Sequence, residues 1–120
     1  MFIVEDDVYL RLLYEKALNL KGYEVFSSAK NGEEAIEMFK NFSSKPDIII
    51  MDHRMPIKNG LEATREMLQI DQNLKIIFVS ADKTVKNEAL SIGVVTFTDK
   101  PCTIQDLYKD IEKALAYPNV

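Results

Sequence analysis

Apolar residues recur along this chain with two different spacings that alternate. Spacing at i, i+3, i+4 and i+7, which predicts a helix with one buried face, appears in three segments. Their apolar positions are Leu10, Leu13, Tyr14, Ala17 and Leu18, then Ala35, Met38, Phe39 and Phe42, and finally Ile104, Leu107, Tyr108, Ile111 and Leu115. Residues 60–70 and 83–92 are also predicted to be helical, with Asp7 and Thr103 as N-caps of the first and last helices.

Short apolar segments alternate with the helices and predict strands. They are residues 1–4, 24–29, 47–51, 75–79 and 94–98. Two of them are continuously apolar, as expected of strands covered on both faces, whereas residues 24–29 alternate weakly, as expected of an edge strand. Strand and helix therefore alternate five times. This pattern predicts an α/β fold: a flavodoxin-like doubly wound parallel sheet of five strands in the order 2-1-3-4-5, with five helices.

Composition and charge narrow the class of protein. A chain of 120 residues with 47% hydrophobic and 28% charged residues predicts one globular domain over residues 1–120. The single cysteine, Cys102, excludes an internal disulfide, and neither a signal-peptide pattern nor a membrane-length apolar segment is present. We therefore expect a cytoplasmic protein without membrane association. The net charge of −4, with dispersed lysines, argues against direct nucleic-acid binding.

Polar residues follow the predicted strands at the points where these strands end. An acidic run, residues 5–7, follows the first strand, and Asp52, Ser80 and Lys100 follow the third, fourth and fifth strands. Because the carboxyl ends of parallel strands face one shared crevice, these widely separated residues are predicted to meet there. The crevice would hold several carboxylates, a hydroxyl and an amine.

These groups suit chemistry with a divalent cation. Glu5, Asp6 and Asp52 would repel one another unless a cation lay among them. Hard oxygen ligands favour Mg²⁺, or Mn²⁺, and a chain with one histidine and one cysteine cannot build a zinc site. The acidic run alone could instead be a solvated loop with a capping aspartate. A carboxylate beside a divalent ion can also act as a nucleophile toward phosphorus, with Lys100 and Ser80 binding the phosphoryl oxygens.

The sequence resembles the receiver domain of two-component response regulators over essentially its whole length. The motifs that carry the resemblance are Val4-Glu5-Asp6-Asp7, Asp52-His53-Arg54-Met55-Pro56 followed by Gly60, Val79-Ser80-Ala81, and Lys100-Pro101. The resemblance implies the following roles: Asp52 as phosphoacceptor, Asp6 as a direct Mg²⁺ ligand, Glu5 as a ligand through water, the Arg54 backbone carbonyl as a further ligand, Ser80 and Lys100 as phosphoryl-binding groups, and Ser80 and Phe97 as switch residues. It also implies a cis Lys100-Pro101 bond.

The resemblance further implies a function and partners. A sensor histidine kinase would phosphorylate Asp52 in a Mg²⁺-dependent reaction, and the domain would then change its protein-contact surface. That surface would be the face formed by the fourth helix, fifth strand and fifth helix, contacting a downstream protein or a second copy. Such a domain assists its own phosphorylation and dephosphorylation but is not an enzyme. Because nothing follows Val120, the resemblance implies a stand-alone receiver or part of a longer regulator.

Three other functions are compatible with this fold, and two of them require residues that this sequence lacks. A degenerate receiver that acts only through protein contacts shares the fold. A flavin-binding protein needs a phosphate-binding loop where the acidic residues 5–7 lie, and a phosphatase would have a second catalytic aspartate at position 54, which is arginine.

His53 should point away from Asp52, because side chains alternate along a strand. The segment between Ser80 and Lys100 is about two residues short, which leaves the length of the fourth helix open. We also predict an exposed Arg54–Asp82 ion pair.

Overall fold

The computed structural model describes residues 1–117, and the predicted domain limit at Val120 lies outside these residues. One parallel sheet has the strand order β2-β1-β3-β4-β5. The strands are β1 (Phe2–Val4), β2 (Ser27–Ala29), β3 (Ile48–Asp52), β4 (Lys75–Ser80) and β5 (Thr96–Asp99). The helices are α1 (Val8–Leu20), α2 (Gly32–Asn41), α3 (Gly60–Ile70), α4 (Lys86–Ile92) and α5 (Ile104–Ala116). The predicted fold class and strand order are confirmed.

The sheet separates two apolar layers, which explains the unbroken apolar segments of the central strands. In β3, Ile49 and Met51 pack with residues of α2 and α3, whereas Ile48 and Ile50 pack with residues of α1 and α5. All five β3 residues are buried. Because consecutive side chains of a strand point to opposite faces, covering both faces requires apolar residues at successive positions.

Polar caps fix the helix starts that lie near the carboxyl end of the sheet. The Asp7 carboxylate accepts hydrogen bonds from the amides of Tyr9 and Leu10, which confirms Asp7 as the N-cap of α1. Thr103 caps α5, and Asn59 caps α3, each within a capping box. The loops that follow β1, β3 and β5 are therefore held to the first turns of their helices.

The structure departs from the predicted elements at their margins. Residues 83–85 form a 3₁₀ turn, so α4 itself contains only seven residues. Strand β5 begins at Thr96 rather than at residue 94, and α2 ends one residue before Phe42. Leu13 and Leu115 were predicted to face the core but are about half exposed, because neighbouring elements cover only part of the apolar face of each helix.

Among residues 1–117, no helix combines the length and hydrophobicity needed to cross a membrane.

Candidate functional site

Three carboxylates lie together at the carboxyl end of the sheet. Glu5 follows β1 and Asp52 ends the adjacent strand β3, and both are buried, with exposed fractions of 2% and 5%. Asp6 is exposed. Oxygen atoms of Glu5, Asp6 and Asp52 lie within 4.8 Å of one another. The predicted convergence of these acids is therefore observed.

The ammonium group of Lys100 joins two of these acids. Its Nζ atom donates hydrogen bonds of 3.0 Å to Glu5 Oε1 and 3.0 Å to Asp52 Oδ1. The Lys100 backbone N–H also donates to the carbonyl of Ser80, at 3.0 Å, which holds the residue after β5 against the end of β4. The amine thus lies between the two buried carboxylates.

Burial and mutual repulsion shift the proton affinities of the acids. Burial first, and then the charge of Asp52, raise the pKa of Glu5 to about 7, although Lys100 opposes this effect. Burial likewise raises the pKa of Asp52, against the lowering effect of Lys100. A single ammonium therefore does not fully compensate two buried carboxylates and a third nearby. Such a set of hard oxygen donors fits Mg²⁺, which would supply the missing positive charge.

Ser80 is buried at the end of β4, beside the strand that carries Asp52. Asp52 pairs in register with Val79, the residue before Ser80, and Ser80 pairs with Asp99, the residue before Lys100. The hydroxyl oxygen of Ser80 accepts a hydrogen bond from the Asp82 backbone N–H, at 2.9 Å. The sheet register thus places the hydroxyl-bearing residue between the strands that carry the carboxylate and the amine.

Phe97 and His53 lie in the layer of the core that contains α2 and α3. The Phe97 ring stacks on Phe78, with centroids 5.7 Å apart and an interplanar angle of 19°. The His53 ring also packs against Phe78, at 5.7 Å. Because Asp52 is bound instead to Lys100, His53 and Asp52 have different surroundings, as the alternation of strand side chains predicts. Burial lowers the pKa of His53.

An ion pair links the loops that follow β3 and β4, the strands that end in Asp52 and Ser80. Arg54 Nη2 lies 3.7 Å from Asp82 Oδ2, which confirms the predicted ion pair, although only the Arg54 side chain is exposed, at 76% against 20% for Asp82. Asp82 Oδ1 also accepts a hydrogen bond from the Thr84 backbone N–H, at 3.0 Å, and so caps the 3₁₀ turn before α4. The sequence pattern did not indicate this second bond. The Lys100-Pro101 peptide bond is cis, as the resemblance implies.

Gly60 contributes a constraint on the site that its helix-start position alone does not reveal. A Cβ atom at Gly60 would lie 2.2 Å from the Asp52 carbonyl oxygen and 2.8 Å from His53 Cα. The Gly60 N–H also donates to the His53 carbonyl, at 3.0 Å. The first turn of α3 therefore lies directly against the backbone that carries Asp52, and only a residue without a side chain fits.

We expect Gly60→Ala to lower the free energy of unfolding by about 2–3 kcal/mol, because the contacted atoms are backbone and cannot move aside. Urea denaturation measures this change. Gly22→Ala is the matched control. A Cβ atom at Gly22 would meet open space, so this substitution strains the backbone through its left-handed φ of +93° without any steric clash. If Asp52 accepts a phosphoryl group, as the sequence resemblance implies, only Gly60→Ala should also reduce that phosphorylation. A loss of phosphorylation with Gly22→Ala, or none with Gly60→Ala, would contradict this account.

Comparison with known proteins agrees with this arrangement. A family model for the response regulator receiver domain matches residues 1–112. The chain is 40% identical, over 103 residues and 84% of each chain, to chemotaxis protein CheY of Thermotoga maritima. A chain in the crystal structure of the CheX-CheY-BeF3-Mg+2 complex from Borrelia burgdorferi superposes with a TM-score of 0.91 at 24% identity, covering 97% of this chain and 88% of that one. The crystal structure of response regulator TrrA from Thermotoga maritima, in complex with Mg(2+)-BeF, superposes with a TM-score of 0.83 at 30% identity. The match covers 94% of this chain and 96% of that one.

Proposed function

The chain belongs to the response regulator receiver domain family, and from this premise we propose that Asp52 is the residue that accepts the phosphoryl group. Phosphorylation on an aspartate is general to this family of signalling domains. One observation carries the assignment: Lys100 Nζ lies 3.0 Å from both Asp52 Oδ1 and Glu5 Oε1. Asp52 is the last residue of β3 and contacts this amine, whereas Glu5 lies in the loop after β1.

The proposed reaction transfers a phosphoryl group without a general base. A carboxylate oxygen of Asp52 forms a bond to phosphorus while the bond from phosphorus to the donor breaks, and the bonding electrons leave with the donor. The Lys100 ammonium and the Ser80 hydroxyl bind phosphoryl oxygens as the negative charge moves toward Asp52. Lys100 would then exchange its present contact with Asp52 Oδ1 for one with the phosphoryl group.

Receiver domains bind Mg²⁺ through an acidic pocket. In this chain Asp6, Asp52 and the Arg54 carbonyl would hold the ion, with Glu5 acting through water, and the bound ion would neutralise phosphoryl oxygens. Mn²⁺ suits the same oxygen donors. The acid cluster supports this assignment, because oxygens of Glu5, Asp6 and Asp52 approach within 4.8 Å.

Ser80 and Phe97 would convert phosphorylation into a change of surface. The Ser80 hydroxyl now accepts a hydrogen bond from the Asp82 amide, so turning toward a phosphoryl group would release the loop that leads to α4. Phe97 now stacks on Phe78 at the edge of the core and would follow inward. Phosphorylation would thus favour one of two packings of the face formed by α4, β5 and α5, where a downstream protein or a second copy would bind.

The phosphodonor partner is proposed to be a histidine kinase, and receiver domains interact with such kinases. A large donor must contact the surface next to Asp52. An apolar groove of about 520 Å³ lies there, between α1 and residues 100–104, and it includes Leu10, Leu13 and Ile104. Val8, Tyr9 and Leu12 of the same helix are also exposed. The apolar groove beside Lys100 supports docking of a protein donor.

Treatment with acetyl phosphate and Mg²⁺, followed by intact-mass spectrometry, tests the proposal. We expect one phosphoryl group per chain, no uptake in the presence of a chelator, and loss of the group on denaturation in alkali, as for an acyl phosphate. An unchanged mass under all conditions would contradict the proposed function and leave the alternative of a receiver that acts only through protein contacts.

The Arg54–Asp82 ion pair should lengthen the lifetime of the phosphorylated state, because it joins the loops that follow Asp52 and Ser80 and would hinder the approach of water. We expect Arg54→Ala and Asp82→Asn to raise the dephosphorylation rate about two- to fivefold, a modest effect because the Arg54 side chain is largely exposed. The amide in Asp82→Asn can retain the bond to Thr84. Lys83→Ala is the control in the same loop, and its rate should equal that of the wild type. If both pair variants also retained the wild-type rate, the ion pair would have no such role.

A further inference from the structure

Ile57 combines an unfavourable backbone conformation with an exposed apolar side chain. It lies in the loop between β3 and α3, has φ of +71°, and exposes 75% of its surface. The left-handed region is strongly disfavoured for β-branched residues, and an asparagine or glycine would fit there better. Neither the proposed phosphorylation nor the metal site uses this side chain.

The Ile57 side chain borders a cavity of about 470 Å³ on the outer surface of α2. Its apolar part is formed by Ile57 and Met38. Asn31 and three glutamates of α2, Glu33, Glu34 and Glu37, complete the wall. The surface thus offers two apolar side chains surrounded by acids, and we call it the Ile57–α2 surface.

The Ile57–α2 surface is held in place by backbone contacts. The Gly32 N–H, at the start of α2, donates to the carbonyl of Lys58, at 3.0 Å. A Cβ atom at Gly32 would lie 2.4 Å from the same carbonyl oxygen, so α2 and the loop are in close contact. A ligand would therefore meet a surface that is already formed, which reduces the entropy lost on binding.

The charges around the cavity favour a cationic ligand. Two lysines flank it, Lys30 before α2 and Lys58 after Ile57. Lys58 Nζ is paired with Glu66 on α3, outside the cavity. The Lys30 backbone N–H donates to Glu34 Oε1, at 3.3 Å. Glu33 and Glu37 are exposed. Among residues 1–117, no ion pair involves Glu33, Glu34 or Glu37, so their charges remain available to a cationic ligand.

We propose that the Ile57–α2 surface binds a basic, amphipathic segment of a partner protein. An aliphatic side chain of that segment packs on Ile57 and Met38, and flanking lysines or arginines pair with Glu33 and Glu37. Charge complementarity selects the partner, and burial of Ile57 supplies most of the affinity. This proposal does not depend on the phosphoacceptor role of Asp52.

Binding can be tested with a synthetic peptide that places leucine at helical spacing between lysines. In amide NMR titrations of the full chain, the peptide should shift resonances of residues 33–38 and 56–59. Two control peptides, one with glycine for leucine and one with glutamate for lysine, should bind at least about tenfold more weakly, because each lacks one of the two required features.

Ile57→Asn separates binding from folding. Asparagine tolerates the left-handed conformation, so this variant should be at least as stable as the wild type while the dissociation constant of the peptide rises about tenfold or more. The matched control is Ile70→Asn, at the exposed end of α3, which should leave the affinity unchanged. Glu37→Gln should weaken binding about two- to fivefold, and more at low salt.

Three results would overturn the proposal. One is equal affinity of the wild type and Ile57→Asn. Another is a set of shifts centred on Glu5, Asp6 and Asp52, which would show binding to the acid cluster. The third is concentration-dependent self-association that Ile57→Asn abolishes, which would assign the surface to a second copy of the chain instead. A failed phosphorylation assay would not affect any of these measurements.

Discussion

Replacement of Asp52 by asparagine is expected to abolish phosphoryl uptake from acetyl phosphate. The amide has nearly the same shape as the carboxylate but no negative charge, so it is neither a nucleophile toward phosphorus nor a strong ligand for Mg²⁺. Intact-mass spectrometry should show the phosphorylated species in the wild type and only the unmodified mass in Asp52→Asn. The same pair of samples, separated by size-exclusion chromatography, would show whether phosphorylation drives dimer formation.

The loss should not come from unfolding. Burial raises the pKa of Asp52, so its ionised form is less favourable in the folded than in the unfolded chain. The stability that this carboxyl contributes is therefore present at low pH and declines as the pH rises through its folded pKa. At neutral pH a neutral asparagine removes this unfavourable charge, and the free energy of unfolding of Asp52→Asn should equal or exceed that of the wild type.

Asp99→Asn is the matched control, since it makes the same chemical change next to Lys100 at an exposed position. It should be phosphorylated like the wild type. If Asp52→Asn still gained the phosphoryl mass, the acceptor would be another residue, and the roles assigned to Lys100 and Ser80 would lose their basis. If Asp99→Asn lost phosphorylation, general charge near the site would matter more than the identity of the nucleophile.

The sequence predicted the parts of the site that depend on topology. Each predicted strand of the site is followed by one of its polar residues, namely Glu5, Asp52, Ser80 and Lys100. A parallel sheet brings all such positions to one edge whatever the details of packing. The convergence of the acids with Lys100 therefore followed from the strand order alone. Their separation of a few ångström, and the hydrogen bonds of Lys100 to two different acids, required coordinates.

Features that depend on loop conformation could not be predicted in the same way. No apolar pattern indicates that Ile57 has a positive φ, that Gly60 touches the Asp52 carbonyl, or that Thr84 binds Asp82. Each arises from the path of a connecting segment, where residues near in sequence have many possible arrangements. The exposed Leu13 has a related cause, because helical spacing identifies an apolar face but not how much of that face a neighbouring element covers.

Lys100→Met is expected to lower stability without Mg²⁺, and added Mg²⁺ should recover much of that loss. Without the ion, the variant loses the ammonium that joins Glu5 and Asp52, and two buried carboxylates face each other. We expect the free energy of unfolding to fall by about 1–3 kcal/mol, less than for a fully buried pair, because Lys100 is partly exposed and Glu5 can take up a proton. Urea denaturation in the presence of a chelator measures this loss.

With Mg²⁺ present, the variant should recover more stability than the wild type gains. The Lys100 ammonium and the metal ion compete for the same oxygens, so removing the amine should raise Mg²⁺ affinity about tenfold, equivalent to about 1.4 kcal/mol. Measurement at about pH 8, above the pKa of about 7 for Glu5, limits competition by protons. Lys109→Met, at an exposed position on α5, should change neither quantity. Equal or weaker Mg²⁺ affinity in Lys100→Met would mean that the ion binds without displacing the amine, and that Lys100 and the metal act on separate oxygens.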